Sequence, residues 1–167
     1  MNLISIQSYL NAIVLWIHLF AATFFVGGSF FFWIVVIPSS RLITTDESER
    51  TQLIGKMAKA FGKIVNPTLG IIVLTGIYNA SWYLASWQDL FIYPGTIFLT
   101  KIILVIVLLN FIYVHNRYFG KRIITYARER NLEALKRLRR TSRKISAVNL
   151  ILMATILLLA VLMQMPP

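Results

Sequence analysis

The chain has 167 residues, of which 57% are hydrophobic, and carries a net charge of +11 with a mean hydropathy of +0.70. Soluble domains are typically about 45–50% apolar, so this composition indicates a membrane protein and leaves no room for a separate soluble domain. The chain contains no cysteine. Disulfides, iron–sulfur clusters, thiolate zinc sites and c-type haem attachment are therefore excluded.

Four apolar stretches, residues 11–37, 64–87, 96–118 and 147–165, are each about long enough to span a bilayer. They predict an all-α integral membrane protein in which residues 1–167 form one four-helix bundle. The first stretch lacks a basic n-region and an A-x-A-like cleavage site, so we expect a permanent helix and not a signal peptide. Pro38 should end this helix, because proline cannot continue the hydrogen-bond ladder. Thr44-x-x-Glu47 resembles a capping box that opens a separate cytoplasmic helix.

The basic residues are concentrated in two of the three loops. The first loop carries Arg41, Arg50, Lys56, Lys59 and Lys63. The third loop, a predicted basic hairpin over residues 119–146, and its edges carry Arg117, Lys121, Arg122, Arg128, Arg130, Lys136, Arg137, Arg139, Arg140, Arg143 and Lys144. The positive-inside rule places both loops in the cytoplasm and both termini outside, as in a multi-pass protein of the cell membrane. Topology and anionic headgroups account for this charge, so no nucleic-acid partner is expected.

Two ionisable residues, His18 and Lys101, lie well inside apolar spans. An ionisable group in hydrocarbon costs at least about 2.5 kcal/mol, which makes each a candidate functional residue. Both are expected ~9 Å outward of the bilayer centre, so they can face one site. Alternatively, His18 hydrogen-bonds a neighbouring helix, and Lys101 extends its amine to the outer headgroups. His115 lies ~20 Å from His18 along the axis, so the two should not share one iron.

The chemistry open to these residues is redox, transport or porphyrin chemistry. A neutral imidazole is a good iron ligand, and small residues such as Gly27 and Gly28 allow close approach of a helix or a flat ligand. Copper(I) prefers Met and His, and the fourth helix carries Met153, Met163 and Met165. Hydrolysis is disfavoured, since the apolar spans hold no acid and the chain has no GxSxG, HExxH or Walker motif.

Three short motifs resemble the CopD-like membrane family, which is named from copper-resistance protein D and allied to the HemJ-type protoporphyrinogen oxidases. The run His18-Leu-Phe-Ala-Ala-Thr-Phe-Phe-Val-Gly27-Gly28 is similar to the family's His-x-x-Ala-Ala-x-x-Trp-x-Gly-Gly, with Phe25 in place of Trp. Leu74-Thr75-Gly76 resembles its Thr-Gly. The third helix, from Lys101 to Asn110 and on to Asn116-Arg117, is similar too. The resemblance covers nearly the whole chain.

The resemblance implies a haem b site between the helices. His18 would be an axial ligand, Lys101 the second ligand or a propionate contact, and Gly27, Gly28 and Thr75 would give the macrocycle space. His115 is a possible separate ligand. The implied function is electron transfer with a quinone or a redox partner.

Three alternatives stay open. They are a HemJ-like protoporphyrinogen oxidase, which would be a haem-dependent oxidoreductase, a copper transport protein, and a non-catalytic subunit of a larger membrane complex or homo-oligomer. HemJ proteins carry an arginine late in the first helix, where this chain has Ile34 and apolar neighbours.

Overall fold

Four long helical segments make up the computed structural model, which describes residues 3–83, 86–92 and 95–163. Within these residues, Ile6–Leu42, Glu47–Ser81, Gly95–Arg128 and Leu132–Leu162 are long and apolar enough to cross a membrane. The prediction of an all-α protein with four membrane helices is therefore confirmed. Each helix is longer than its apolar stretch alone suggested.

The first long helix continues through Pro38, so the prediction that this proline ends it is wrong. Helix α1 spans Leu3–Phe31 and is followed by a π-helical turn, Phe32–Val36, by α2, Ile37–Ser39, and by a 3-10 turn, Ser40–Leu42. Ile37 donates its backbone N–H to the carbonyl of Phe32, five residues back. Proline lacks the N–H that a regular helix needs, and this wider turn just before it lets the chain stay helical.

The second long helix, α3, spans Glu47–Tyr83 without interruption and contains Pro67. The predicted separate cytoplasmic helix and the predicted start at residue 64 are therefore wrong: one helix serves both the loop and the membrane. Apolar periodicity marked only its membrane half, because its first turns carry many charged residues and pack against the third loop.

The residue that caps α3 is Asp46, which corrects the predicted capping box at Thr44. The Asp46 carboxylate accepts hydrogen bonds from the backbone N–H groups of Ser48 at 2.7 Å and Glu49 at 3.2 Å. These bonds to Glu49 and Ser48 hold the pKa of the Asp46 carboxyl below its ordinary value. The Thr44 hydroxyl instead accepts from the N–H of Asp46.

The third and fourth long helices form the basic hairpin. A 3-10 turn, Trp87–Phe91, precedes α4, Gly95–Val114, which continues through a π-helical turn, His115–Gly120, into α5, Lys121–Arg128. Helix α6 then spans Leu132–Leu162. The apolar stretches that begin at residue 96 and at residue 147 are therefore parts of longer helices, which extend past the bilayer as the predicted basic hairpin. The predicted end at residue 165 lies outside the described residues.

A tight turn at Arg130 closes the hairpin. Arg130 has a φ of 54°, in the left-handed region that favours glycine. Its N–H bonds to the carbonyl of Ala127, and the N–H of Asn131 bonds to that of Tyr126, as in a Schellman motif. The Asn131 side chain then accepts from the N–H of Ala134 and caps α6.

Packing leaves most of the apolar surface facing outward. Helix α1 packs along α3, α4 along α6, and α5 against α3. A small apolar core between the helices is closed to solvent and is formed by Phe25, Val65, Leu108, Leu150 and Met153. Large apolar side chains such as Leu74 and Trp16 are 70% and 64% exposed. Such an exterior suits lipid, in which hydrophobic burial does not drive helix association.

The two basic loops meet at one end of the bundle. Arg139 of α6 forms an ion pair with Glu47 of α3 at 2.9 Å. The Ser48 hydroxyl donates to the carbonyl of Ala127, and both Ala127 and Leu135 are fully buried. The loops that are predicted to be cytoplasmic therefore form one packed unit, which is called the basic end below.

Candidate functional site

His18 lies on the face of α1 that meets α3. Its Nδ1 atom is 2.8 Å from the hydroxyl oxygen of Thr75. The ring is half-buried, between two helices. His18 and Thr75 are thus in direct contact. This contact agrees with the alternative expectation that His18 hydrogen-bonds a neighbouring helix.

The Thr75 hydroxyl fixes which nitrogen of His18 carries the proton. A hydroxyl has a single hydrogen, and the Thr75 oxygen lies 2.6 Å from the carbonyl of Ile71 and 3.3 Å from that of Ile72. Because that hydrogen is donated to the helix backbone, Thr75 can only accept from His18. Nδ1 therefore holds the ring proton of the neutral imidazole, and Nε2 keeps its lone pair free for a ligand.

Gly76 sets how closely the imidazole approaches α3. A Cβ atom at this position would lie 3.3 Å from Cε1 of His18, which is closer than almost any ordinary contact. Glycine therefore lets the ring rest on the helix backbone beside its hydrogen-bond acceptor. The Thr75-Gly76 pair acts as one unit that holds the ring.

Lys101 of α4 lies close enough to His18 for an electrostatic interaction. The side chain is half-buried, and no carboxylate among the described residues forms a salt bridge with it. The two ionisable residues of the apolar spans therefore belong to one neighbourhood, on three helices. A cation held here without an acidic partner favours an anionic ligand group.

Three further polar residues extend this neighbourhood toward the N-terminal end of α1. They were not among the candidates selected from the sequence. The Tyr78 hydroxyl donates to the side-chain oxygen of Asn11 at 2.9 Å, and the Gln7 amide donates to the same oxygen at 3.2 Å. Gln7, Asn11 and His18 follow one helical stripe, with spacings of four and seven residues. That spacing was a usable signal, but Gln7 lies before the predicted start of the helix.

Asn79 is the unsatisfied member of the same helix face. It lies one turn beyond Thr75, and its Oδ1 atom is buried without a hydrogen-bond partner among the described residues. A buried unpaired acceptor carries a free-energy penalty of about 1–3 kcal/mol. The neighbourhood is therefore open to a further donor, such as a water or a bound molecule.

The two glycines of the first helix have different surroundings. A Cβ at Gly27 would meet nothing within 4 Å, whereas one at Gly28 would lie 3.0 Å from the ring of Phe61. The space beside Gly28 is thus filled by an aromatic side chain of α3, and this glycine serves helix packing. Gly27 is exposed, and its spacing of nine residues from His18 places it on the opposite side of α1.

His115 occupies a separate site near the basic end. Its Nε2 atom lies 2.8 Å from the hydroxyl of Ser142 and 3.5 Å from that of Ser146, and its ring stacks on Phe119 with centroids 5.9 Å apart. Its partners are on α6, and those of His18 are on α3. The two histidines do not converge on one point, as their positions along the helices predicted.

Two of the three methionines considered as copper ligands, Met153 and Met163, lie within the described residues. Among the described residues, no cluster of three or more His, Asp or Glu side chains could hold a metal. Met153 packs in the apolar core with Phe25 and Leu150, and Met165 lies outside the described residues. Met153 is thus accounted for by packing.

Four long apolar helices, a small core and a lipid-suited exterior define a multi-pass membrane protein with a polar neighbourhood between three of its helices. The family model for copper resistance protein D matches residues 55–163, about two thirds of the chain. The chain therefore belongs to the CopD family. The match includes Thr75, Gly76 and Lys101 but begins after the first helix, so His18 and Gly27 lie outside it. Searches of curated proteins and of solved structures found no match.

Proposed function

We propose that this CopD-family protein binds haem b through Nε2 of His18 and transfers electrons within the cell membrane. The observation that carries the proposal is the hydrogen bond between His18 and Thr75. A haem-ligating histidine needs one nitrogen free and its ring held by a bond from the other. The Thr75 hydroxyl supplies that bond, because its own hydrogen is donated to Ile71.

The surrounding residues fit a haem group in three respects. Lys101 provides a cation beside His18 that would hold a propionate carboxylate of the haem. No carboxylate of the described residues forms a salt bridge with Lys101. Asn79 presents a buried acceptor without a partner. Gly76 lets the ring of His18 rest on α3 beside Thr75. We favour the propionate contact over ligation of the iron by Lys101, because an ammonium group attracts a carboxylate and has no lone pair to give to iron.

The residues of this chain would prepare the site for electron transfer and not for hydrolysis. Haem b would supply a reversible one-electron couple when bound. Thr75 and Gly76 fix the orientation of the imidazole, so the ligand needs no rearrangement when the charge changes. The site lies between apolar helices, and an apolar surrounding influences the redox potential of a bound metal. The electron donor or acceptor would be a quinone or a redox partner protein.

The orientation in the membrane follows from the basic end. The first and third loops, which carry most of the basic residues, pack against each other there, and such loops are retained in the cytoplasm. We propose that this end is cytoplasmic and that both termini are outside. The site at His18 is then in the outer half of the bilayer.

The test is to purify the protein in mild detergent and to record oxidised and dithionite-reduced absorption spectra. We expect a reduced α-band typical of b-type haem, at stoichiometric content, with a reversible one-electron potentiometric titration. A featureless spectrum after expression with ample haem would contradict the proposal and would direct attention to copper binding or to a cofactor-free subunit.

A further inference from the structure

A cavity of about 320 Å³ lies where the end of the first long helix meets the basic end. Its volume falls in the range of small-molecule sites. Its wall divides into an apolar part from the first helix and a part made of four arginines. The apolar residues are Trp33, Ile34, Ile37 and Pro38, and the arginines are Arg41, Arg50, Arg139 and Arg143.

The arginines come from separate parts of the chain and are crowded together. Arg139 is satisfied by its ion pair with Glu47 at 2.9 Å, and its side chain is only 15% exposed. Arg50 of α3 and Arg143 of α6 are both close enough to Arg139 to repel it electrostatically. One carboxylate thus faces three converging guanidinium groups, an arrangement that favours a bound anion.

Arg41 and Arg143 remain available for such an anion. Both are exposed, and neither forms a salt bridge within residues 3–83, 86–92 and 95–163. Arg50 is also within electrostatic range of Asp46, so the unbalanced charge is mainly that of the other two. Guanidinium groups bind phosphate oxygens with paired hydrogen bonds, which makes a phosphate the best matched anion.

The apolar wall indicates what is attached to the phosphate. Ile34 is 57% exposed, and Trp33 and Ile37 are half-buried. They lie on the π-helical turn and on α2, in the span that crosses the membrane. An inorganic phosphate would leave this surface uncovered, whereas an acyl chain would pack along it. Tryptophan commonly occupies this level of a bilayer.

We propose that this cavity binds one anionic phospholipid, with its phosphate between Arg41 and Arg143 and an acyl chain along Trp33 and Ile34. The proposal requires only that the basic end lies at a membrane surface, and it is independent of haem binding. The lipid would link the first helix to the hairpin of the third and fourth helices, at the place where the protein itself provides mainly like charges.

The experiment measures lipid binding by the full-length protein in detergent. Phosphatidylglycerol is titrated against the wild type and the Arg41→Gln/Arg143→Gln variant, and bound lipid is counted by native mass spectrometry. We expect affinity to fall roughly 10- to 30-fold in the variant, because each arginine at an anionic surface contributes severalfold. The matched control, Arg122→Gln/Arg137→Gln, removes the same charge from exposed positions outside the cavity and should bind like the wild type.

Three outcomes would overturn the proposal. Equal loss in both variants would show that the whole basic surface attracts lipid without a defined site. Equal binding of phosphatidylcholine, which is zwitterionic, would show that the net negative charge of the lipid is not recognised. Competition by inorganic phosphate or glycerol phosphate at the concentration that phosphatidylglycerol requires would show a site for free phosphate. Both variants replace exposed side chains without ion pairs, so monodisperse elution of each confirms that folding is unchanged.

Discussion

The two histidines of this chain lie in opposite kinds of environment, although both contact a hydroxyl at 2.8 Å. His18 uses Nδ1, and its partner Thr75 has already donated its hydrogen to the backbone. His115 uses Nε2, which lies near two serine hydroxyls, and its ring is stacked on Phe119. Among the described residues, Nε2 of His18 thus has no hydrogen-bond partner, whereas Nε2 of His115 lies against a serine hydroxyl. The comparison teaches that the partner of a membrane histidine, and not its depth alone, decides whether it can bind a ligand.

Alanine substitution of each histidine tests this difference most directly and should give the largest effect. His18→Ala removes the only free imidazole nitrogen of the site, so we expect haem to be lost from the purified protein. His115→Ala should retain haem at the wild-type level. The measurement is haem content per chain from the pyridine haemochrome spectrum. Haem that survives His18→Ala unaltered would place the ligand elsewhere.

The hydroxyl of Thr75 is the next point of difference. Thr75→Val keeps the shape of the side chain but removes the acceptor for Nδ1–H, so haem affinity should fall by about 10- to 100-fold, as for other partners of metal-ligating histidines. Thr75→Ser restores the hydroxyl and should restore most of the affinity. Haem titration of the apoprotein measures both constants.

The corresponding change at the other histidine is a matched control. Ser142→Ala removes the closer hydroxyl from His115 and leaves the longer contact with Ser146. It should therefore lower the free energy of unfolding by about 1 kcal/mol and leave haem affinity unchanged. A haem affinity that responds to Ser142→Ala as strongly as to Thr75→Val would remove the distinction between the two sites.

Gly76 provides a smaller perturbation of the same ring. Gly76→Ala places a methyl group 3.3 Å from Cε1 of His18. This contact is too close, so the imidazole must shift by a few tenths of an ångström. We expect an affinity loss smaller than the ~10-fold minimum for Thr75→Val, together with a shifted absorption band. Gly70→Ala, on the same helix with nothing within 4 Å of the new Cβ, should leave the spectrum unchanged. Identical spectra for both variants would argue against contact between His18 and α3 in the protein.

Features set by the local sequence were predictable, whereas contacts between residues on different helices were not. The four helices were readable because each needs about 20 apolar residues to cross the bilayer. The common neighbourhood of His18 and Lys101 was predicted from their depth alone, since both helices run in one direction. The hydrogen bond to Thr75 and the contact with Gly76 were not predictable, because they depend on the rotation of α1 against α3.

Helix ends were the weakest part of the prediction, and the reason is physical. Pro38 was expected to end the first helix, yet a π-helical turn precedes it and the helix continues. The charged halves of α3 and α6 lack the apolar pattern of a membrane span. They are stabilised by contacts between the two loops, such as Arg139 with Glu47, which are distant in sequence.

The hairpin turn near the basic end offers the smallest expected effect and the opposite sign. Arg130 adopts a φ of 54°, which costs a non-glycine residue about 1 kcal/mol, and its ion pair with Asp46 is 3.9 Å long and exposed. Arg130→Gly removes the strain and loses little, so we expect stability to rise by about 0.5–1 kcal/mol, measured by thermal unfolding in detergent. Haem content should not change, because this turn belongs to the region of His115. A lower stability would show that the exposed ion pair outweighs the backbone strain, and that the basic end is stabilised by charge and not by turn geometry.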